Sequence, residues 1–261
     1  MRSDVKGGVE VMARTGFAAK GIVYLLLGYL GVRAAFGAGS AGSTEAALVE
    51  VLRAPYGRWL LGALALGLAW YALWRFIEAF GDANRKGNEP KGLARRAGYF
   101  ASGAIYSAIA LDAFSLVMRW DNESGQGRSV LAPLLTGPVA ILAAIVLIGY
   151  GGYQAWKGIA GNLGKQLKQG EARREAGPWV IVLSRIGLAG RGALFIVMGY
   201  WLVTHPHSGP AMASESTAGG ALQLLTRLPQ GEWFMALAAA TLMAYGVNQL
   251  AHARYRRIVM P

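Results

Sequence analysis

Arg14-Thr15-Gly16-Phe17-Ala18-Ala19-Lys20-Gly21-Ile22-Val23-Tyr24 is the stretch whose reading decides the fold, because it occurs three times. It returns as Arg96-Ala97-Gly98-Tyr99-Phe100-Ala101-Ser102-Gly103-Ala104-Ile105-Tyr106 and as Arg185-Ile186-Gly187-Leu188-Ala189-Gly190-Arg191-Gly192-Ala193-Leu194-Phe195. The common pattern is Arg-x-Gly-x4-Gly-x2-aromatic. Self-similarity at a fixed spacing sets the architecture before any local reading does.

Each copy opens an apolar segment long enough to cross a bilayer, which takes about 20 residues of helix. Six such segments are present: Gly16–Phe36, Arg58–Phe80, Gly98–Met118, Gly137–Ile159, Val180–Thr204 and Glu232–Ala251. They are apolar on nearly every face, unlike the one-sided stripe of a surface helix. Pro55, Gly57, Gly81, Gly137-Pro138, Gly177-Pro178, Pro206 and Pro229-Gln230-Gly231 punctuate their ends. The first segment resembles a secretory leader in its basic flank, but its length and its two later copies mark it as a retained helix.

The even segments also repeat. Tyr71-Ala72-Leu73-Trp74-Arg75 matches Tyr153-Gln154-Ala155-Trp156-Lys157 and, more loosely, Asn248-Gln249-Leu250-Ala251-His252. In the connecting loops, Ala47-Leu48 through Arg53, Pro55, Gly57 and Trp59 parallels Ala221-Leu222 through Arg227, Pro229, Gly231 and Trp233. The middle copy keeps Gly137 but has Leu135 in place of the proline. The expected fold is an all-α integral membrane protein. Three tandem hairpins of the same orientation, spanning residues 12–85, 93–168 and 183–258, pack as a pseudo-threefold bundle. Short interfacial helices are expected at Glu45–Arg53 and Gly219–Leu228.

Composition agrees. Of 261 residues 54% are apolar and 15% charged, against about 25% charged in an average soluble domain. The net charge is +12. Six Lys and Arg (Arg33, Arg53, Arg58, Arg119, Arg128, Arg227) fall on the side opposite the termini. The other twenty of the 26 fall in or beside the N-terminal segment, the connectors near 81–97 and 160–185, and the C-terminal tail. The positive-inside rule makes that richer side cytoplasmic. The same placement accounts for the basic charge without nucleic acid. Anionic phospholipid at the cytoplasmic face is the expected partner, in a bacterial inner membrane.

These residues resemble a known family. Three copies of a two-helix unit opening Arg-x-Gly-x4-Gly, with an Ala-Leu-x4-Arg-x-Pro-x-Gly loop, look like the bacterial membrane family catalogued as domain of unknown function 1206. The likeness covers nearly the whole chain. It implies a six-helix inner-membrane protein and no activity.

Chemistry-bearing residues are few. Gly16, Gly98 and Gly187, with Gly21, Gly103 and Gly192 and with Gly149, Gly151 and Gly152, are expected to let helices approach closely. Arg14, Arg96 and Arg185 stand at the cytoplasmic mouth. Lys20 and Arg191 lie about 9 Å deeper, with Ser102 as the neutral third. Arg75, Lys157 and His252 take the matching places on the even helices. These basics either snorkel to the interface or hold an anionic headgroup or solute, for which the planar fork of arginine is suited. Asp112 breaks the repeat, since its counterparts are Leu30 and Trp201. A carboxylate at that depth needs a partner or water. Arg33 is its natural partner; a proton or cation site, or a reach to outside water, are the alternatives. His205-Pro206-His207 lacks further ligands, so no metal is expected. Cysteine is absent, no nucleophile elbow or phosphate loop occurs, and neither enzyme activity nor a cofactor is expected. The readings that follow are a structural or lipid-interacting membrane protein, or a small transporter or channel for an ion or anionic solute with its path along the pseudo-threefold axis, with a lipid-modifying enzyme ranked below both.

Overall fold

The computed structural model describes residues 2–37, 44–81, 89–118, 137–160, 178–204, 222, 225 and 230–256. In chain order the helices are α1 (Arg2–Ala35), α2 (Thr44–Arg53), α3 (Gly57–Phe80), α4 (Pro90–Met118), α5 (Gly137–Ile159), α6 (Trp179–Thr204) and α7 (Gly231–Tyr255). No strand occurs among the described residues. Within these helices, Gly8–Ala35, Gly57–Phe80, Arg95–Met118, Trp179–Thr204 and Gly231–Tyr255 are long and apolar enough to cross a membrane. The protein is therefore a multi-pass helical membrane protein. The expected short helix after α1 is present as α2. Its counterpart in the third copy lies mostly outside the described residues, although Leu222 and Leu225 are helical.

Packing is cyclic. The most extensive contacts join the second helix of one repeat to the first of the next: α3 on α4, α5 on α6, and α7 back on α1. Small residues make this possible. A Cβ at Gly21 would strike Leu250 and the Gly246 carbonyl, one at Gly103 would strike the Phe76 ring, and one at Gly192 would strike the Gly151 carbonyl and Ala155. The second glycine of the repeated motif thus seats each odd helix on the preceding repeat. In the first and third repeats the first glycine seats it on its own hairpin partner. At Gly16 a Cβ would lie 2.6 Å from the Tyr71 nitrogen, and at Gly187 it would overlap the backbone of Tyr245. Two glycines five positions apart face different neighbours because five residues turn a helix through about 500°, or 140° past a full circle.

These contacts correct the alignment of the even helices. Phe76, Ala155 and Leu250 occupy one equivalent place, so Tyr71 corresponds to Tyr150 and Tyr245, and not to Tyr153 and Asn248. Likewise Arg75 corresponds to Gln154 and Gln249, and Glu78 to Lys157 and His252. The expected grouping of Arg75 with Lys157 and His252 was one turn out of register in the first repeat. Positions three apart share a helix face, so an aromatic pattern in the sequence slips by one turn without losing its match. The turn before α3 supports the corrected register. Tyr56 and Gln230 hold equivalent places, and both adopt the left-handed φ of 60° that non-glycine residues rarely take.

The threefold pattern is broken in the middle copy. α1 packs on α3 and α6 packs on α7, but among the described residues α4 and α5 make at most marginal contact. Among the described residues the helices follow one another in the order α4–α3–α1–α7–α6–α5, and α4 and α5 at the two ends do not pack together.

Candidate functional site

The repeated arginines first. Arg96 donates Nε to the Ala79 carbonyl (2.7 Å) and a terminal nitrogen to that of Phe80 (3.1 Å). Arg185 does the same at Gly158 (3.1 Å) and Ile159 (2.6 Å). Arg14 bonds the carbonyls of Ala253 (2.7 Å) and Arg254 (2.5 Å) and pairs with Glu10 at 2.7 Å. These carbonyls are equivalent in the corrected register. Each opening arginine therefore caps the C-terminus of the preceding repeat's second helix, where up to four carbonyls lack intrahelical partners and the helix dipole favours a cation. The expected triad at a membrane mouth is a triad of interhelix caps.

Lys20 and Arg191 lie deeper than a mouth. Lys20 stands twelve residues into the Gly8–Ala35 span, about 18 Å along the helix. Arg191 is midway along α6. Both are buried, and both face the bundle axis, where the aromatic ends of the odd motif meet the tyrosines of the even helices. Three equivalent ring pairs line it: Tyr71 with Tyr106 at 4.7 Å, Tyr245 with Tyr24 at 4.7 Å, and Tyr150 with Phe195 at 5.8 Å between centroids. The Lys20 ammonium sits 4.5 Å from the centroids of both Tyr71 and Tyr106, with Tyr245 and Tyr24 at 5.7 and 6.0 Å. It donates to the Tyr71 hydroxyl at 2.8 Å. The Arg191 guanidinium lies 4.2 Å from Phe195, 4.5 Å from Tyr245 and 5.3 Å from Tyr24. It donates to the Tyr24 hydroxyl at 3.0 Å and to Gln154 Oε1 at 2.9 Å. Neither cation has a carboxylate partner among the described residues. Desolvated cation–π contacts contribute about 2 kcal/mol each, well short of a counter-charge.

One layer closer to the chain ends, Glu78 is fully buried. It accepts from Arg75 at 2.6 Å and from Arg256, which is itself buried. Arg75 also donates Nε to the Tyr71 hydroxyl at 2.8 Å, linking the two layers. The Phe17 ring meets Arg256 at 4.7 Å and the rings of Tyr71 and His252 at 5.2 and 5.6 Å. His252 is buried and meets the Asn248 carbonyl at 2.8 Å. Lys157, its repeat counterpart on α5, is half-buried. Toward the α2 end the core turns aliphatic through Leu27, Leu64, Leu68, Met198 and Leu242. Among the described residues the site thus holds four basic side chains (Lys20, Arg75, Arg191, Arg256) around one carboxylate, with hydrocarbon at one end.

Two features of the buried polar groups bear on a ligand. Gln154 Nε2 and Asn248 Oδ1, like Trp74 Nε1 and Ser184 Oγ, have no hydrogen-bond partner among the described residues. The first belongs to an amide already fixed against Arg191, so a free donor lies beside an unbalanced cation.

Asp112 stands apart from this cluster. It is half-buried on α4, and Arg33 faces Glu50 of α2 at 4.0 Å instead. The predicted Asp112–Arg33 pair does not form, because the far end of α1 lies against α2 and not α4. Sequence reading also missed Glu78, Arg256, Tyr71, Tyr106, Tyr245 and Gln154 as members of one site. The only available signal was the aromatic that closes each odd motif.

A family model described as Domain of Unknown Function (DUF1206) matches residues 15–82, 97–161 and 186–256. The chain belongs to the DUF1206 family. The three DUF1206 segments end at 82, 161 and 256, the same spacing that the glycine contacts impose on the even helices. The chain is similar to the uncharacterized protein YxxB of Bacillus subtilis (strain 168), at 28% identity over 99% of this chain and 95% of that protein. No solved structure matches. Each DUF1206 repeat contributes two rings to the axis, one from each helix, and the first and third also contribute a basic side chain, at Lys20 and Arg191, where the second has Ser102.

Proposed function

We propose that this DUF1206 protein is a six-pass membrane protein of the bacterial inner membrane, with both termini cytoplasmic, that binds a small anion in its core. α5 supplies the sixth span: its 23 residues are apolar apart from Gln154 and Lys157. The excess of basic residues at the termini end supports the orientation.

The observation that carries the function is the cluster of buried basic side chains at the bundle axis. Among the described residues Lys20 and Arg191 are buried without a carboxylate, beside a second layer in which Arg75 and Arg256 share Glu78. Uncompensated charge within a membrane is costly and marks a ligand or ion site. An anion between Lys20, Arg191 and the free amide of Gln154 would balance it. The tyrosine hydroxyls would orient an oxyanion, and the rings would screen it from lipid. The aliphatic layer beyond them favours binding over open conduction to Asp112.

The test is thermal unfolding of the purified protein in lipid nanodiscs against chloride, phosphate, sulfate and acetate at constant ionic strength. A ligand at 100 times its Kd stabilises by about 2.7 kcal/mol, several degrees in Tm. At least one anion should do so for the wild type and not for Lys20→Met or Arg191→Gln. A Tm indifferent to every anion overturns the reading.

A further inference from the structure

α1 and α3 are pressed together where Gly16 meets the Tyr71 backbone and Gly67 meets Ala19. Beside this contact and on toward α2, their outward faces leave a groove of about 650 Å³. Its walls are hydrocarbon, chiefly Ala18, Ile22 and Leu26 of α1 with Leu60 and Ala63 of α3. Along α1 it extends from Thr15 to Leu26, eleven positions or about 16 Å of helix. That is one leaflet's share of a hydrocarbon core about 30 Å thick. Ile22 and Leu60 are 45% and 52% exposed. Lys20, two positions from Ile22 and so about 200° around the helix, is buried at the axis. The groove therefore faces lipid and is separate from the cationic site.

The polar groups of the groove are gathered at one end. At the Thr15 end the hydroxyl is bonded to the Val11 carbonyl at 2.8 Å. At the other end stand Glu50 and Arg53, in the last turn of α2. Glu50 faces Arg33 at 4.0 Å, and Arg53 is exposed, with no carboxylate partner among the described residues. This end of the groove thus carries a net positive charge. Tyr56 and Trp59, 83% and 79% exposed, follow within two turns and mark the headgroup level, where amphipathic rings collect. The arrangement suits a ligand with a hydrocarbon chain in the core and an anion at the interface. We propose that the groove holds an anionic phospholipid of the leaflet on the α2 side. One acyl chain lies along Ala18, Ile22 and Ala63, and the phosphate rests on the Arg53 guanidinium, whose planar fork takes two oxygens. That side carries only six of the 26 Lys and Arg, so a general basic surface does not supply the preference. The lipid site depends neither on the axial anion site nor on the orientation of the chain.

Native mass spectrometry of the detergent-purified chain tests this, with phosphatidylglycerol and phosphatidylcholine of the same acyl chains supplied in equal amounts. The wild type should retain one phosphatidylglycerol in preference, and excess inorganic phosphate should not displace it. Arg53→Gln should lower that retention about tenfold, to the level of phosphatidylcholine, as befits one charged hydrogen bond. Ala63→Trp sets an indole into the groove from an exposed position and should remove retention of both lipids without lowering Tm; the milder Ala18→Leu should do so in part. Arg58 is exposed in the first turn of α3 but is not part of the groove, so Arg58→Gln should behave as the wild type. Equal retention of the two lipids by the wild type, displacement by phosphate, retention that survives both filling variants, or a loss in Arg58→Gln equal to that in Arg53→Gln would each overturn the site. Lys20→Met should also retain the lipid. Loss there, with Arg53→Gln unaffected, would move the lipid to the axis and overturn the groove while leaving the anion reading standing, so the two fail separately.

Discussion

Arg96 holds the carbonyl oxygen of Ala79 at 2.7 Å, so the residue that opens the second repeat caps the helix that ends the first. The same bond recurs from Arg185 to Gly158, and from Arg14 to Ala253. The last of these joins the end of the chain to its beginning. The repeat is thus closed through charge-assisted hydrogen bonds at helix termini as well as through apolar packing.

Arg96→Ala and Arg185→Ala should each lower stability by about 1.5–3 kcal/mol, the usual worth of a hydrogen bond to a charged group. Arg→Lys at either position should recover only part of this, because an ammonium does not reproduce the fork that spans two successive carbonyls. Denaturant unfolding in mild detergent measures the difference. Equal stability of the Ala variants and the wild type would deny the capping role.

Glu78→Gln leaves Arg75 and Arg256 buried without their carboxylate. Breaking a buried ion pair by removing one partner destabilises by about 3–5 kcal/mol. The double variant Glu78→Gln with Arg256→Gln should be less damaging than the sum of the two single changes. A double-mutant cycle on Tm reads this coupling, and strict additivity would show that the two do not interact.

Tyr71→Phe keeps the ring beneath Lys20 but removes the hydroxyl that accepts from both Lys20 and Arg75. A loss of about 1–3 kcal/mol is expected. Tyr150→Phe, at the equivalent but half-exposed position, should change Tm little. Similar losses at the two tyrosines would contradict the asymmetry of the middle repeat.

Asp112→Asn should leave thermal stability within about 0.5 kcal/mol, the range of ordinary surface changes, because Arg33 is directed at Glu50 and not at Asp112. The Arg33–Glu50 pair is itself exposed and 4.0 Å long, so Glu50→Gln should cost no more than about 1 kcal/mol. A large loss in Asp112→Asn would restore the pairing that the sequence suggested.

Much of the architecture is legible in the sequence. Hydropathy marks the spans because lipid leaves no choice about where apolar helices go. The repeat is visible because Arg, two Gly and an aromatic recur with little drift. The site was legible only in fragments. Lys20 and Arg191 stand out as basic residues inside apolar segments, and Ser102 as the exception. Glu78 did not stand out, because an acid near a span's end is unremarkable until a C-terminal arginine is seen to reach it. The aromatic matches misaligned the even helices by one turn, an error that only the glycine contacts revealed.

By itself the sequence determined the apolar spans, the threefold repetition, the side richer in basic residues and the residues able to make close helix contacts. These are local properties of composition and spacing. The tertiary structure alone decided what each repeated residue touches. It turned Arg14, Arg96 and Arg185 from a surface triad into helix caps, gathered Lys20, Arg191 and four tyrosines at one axis, and parted α4 from α5 although they carry the same glycine and tyrosine as the closed hairpins. A repeated motif can be packed or unpacked because a contact depends on both surfaces, and the middle hairpin has Ala101 and Val146 where the closed hairpins set a glycine against a side chain.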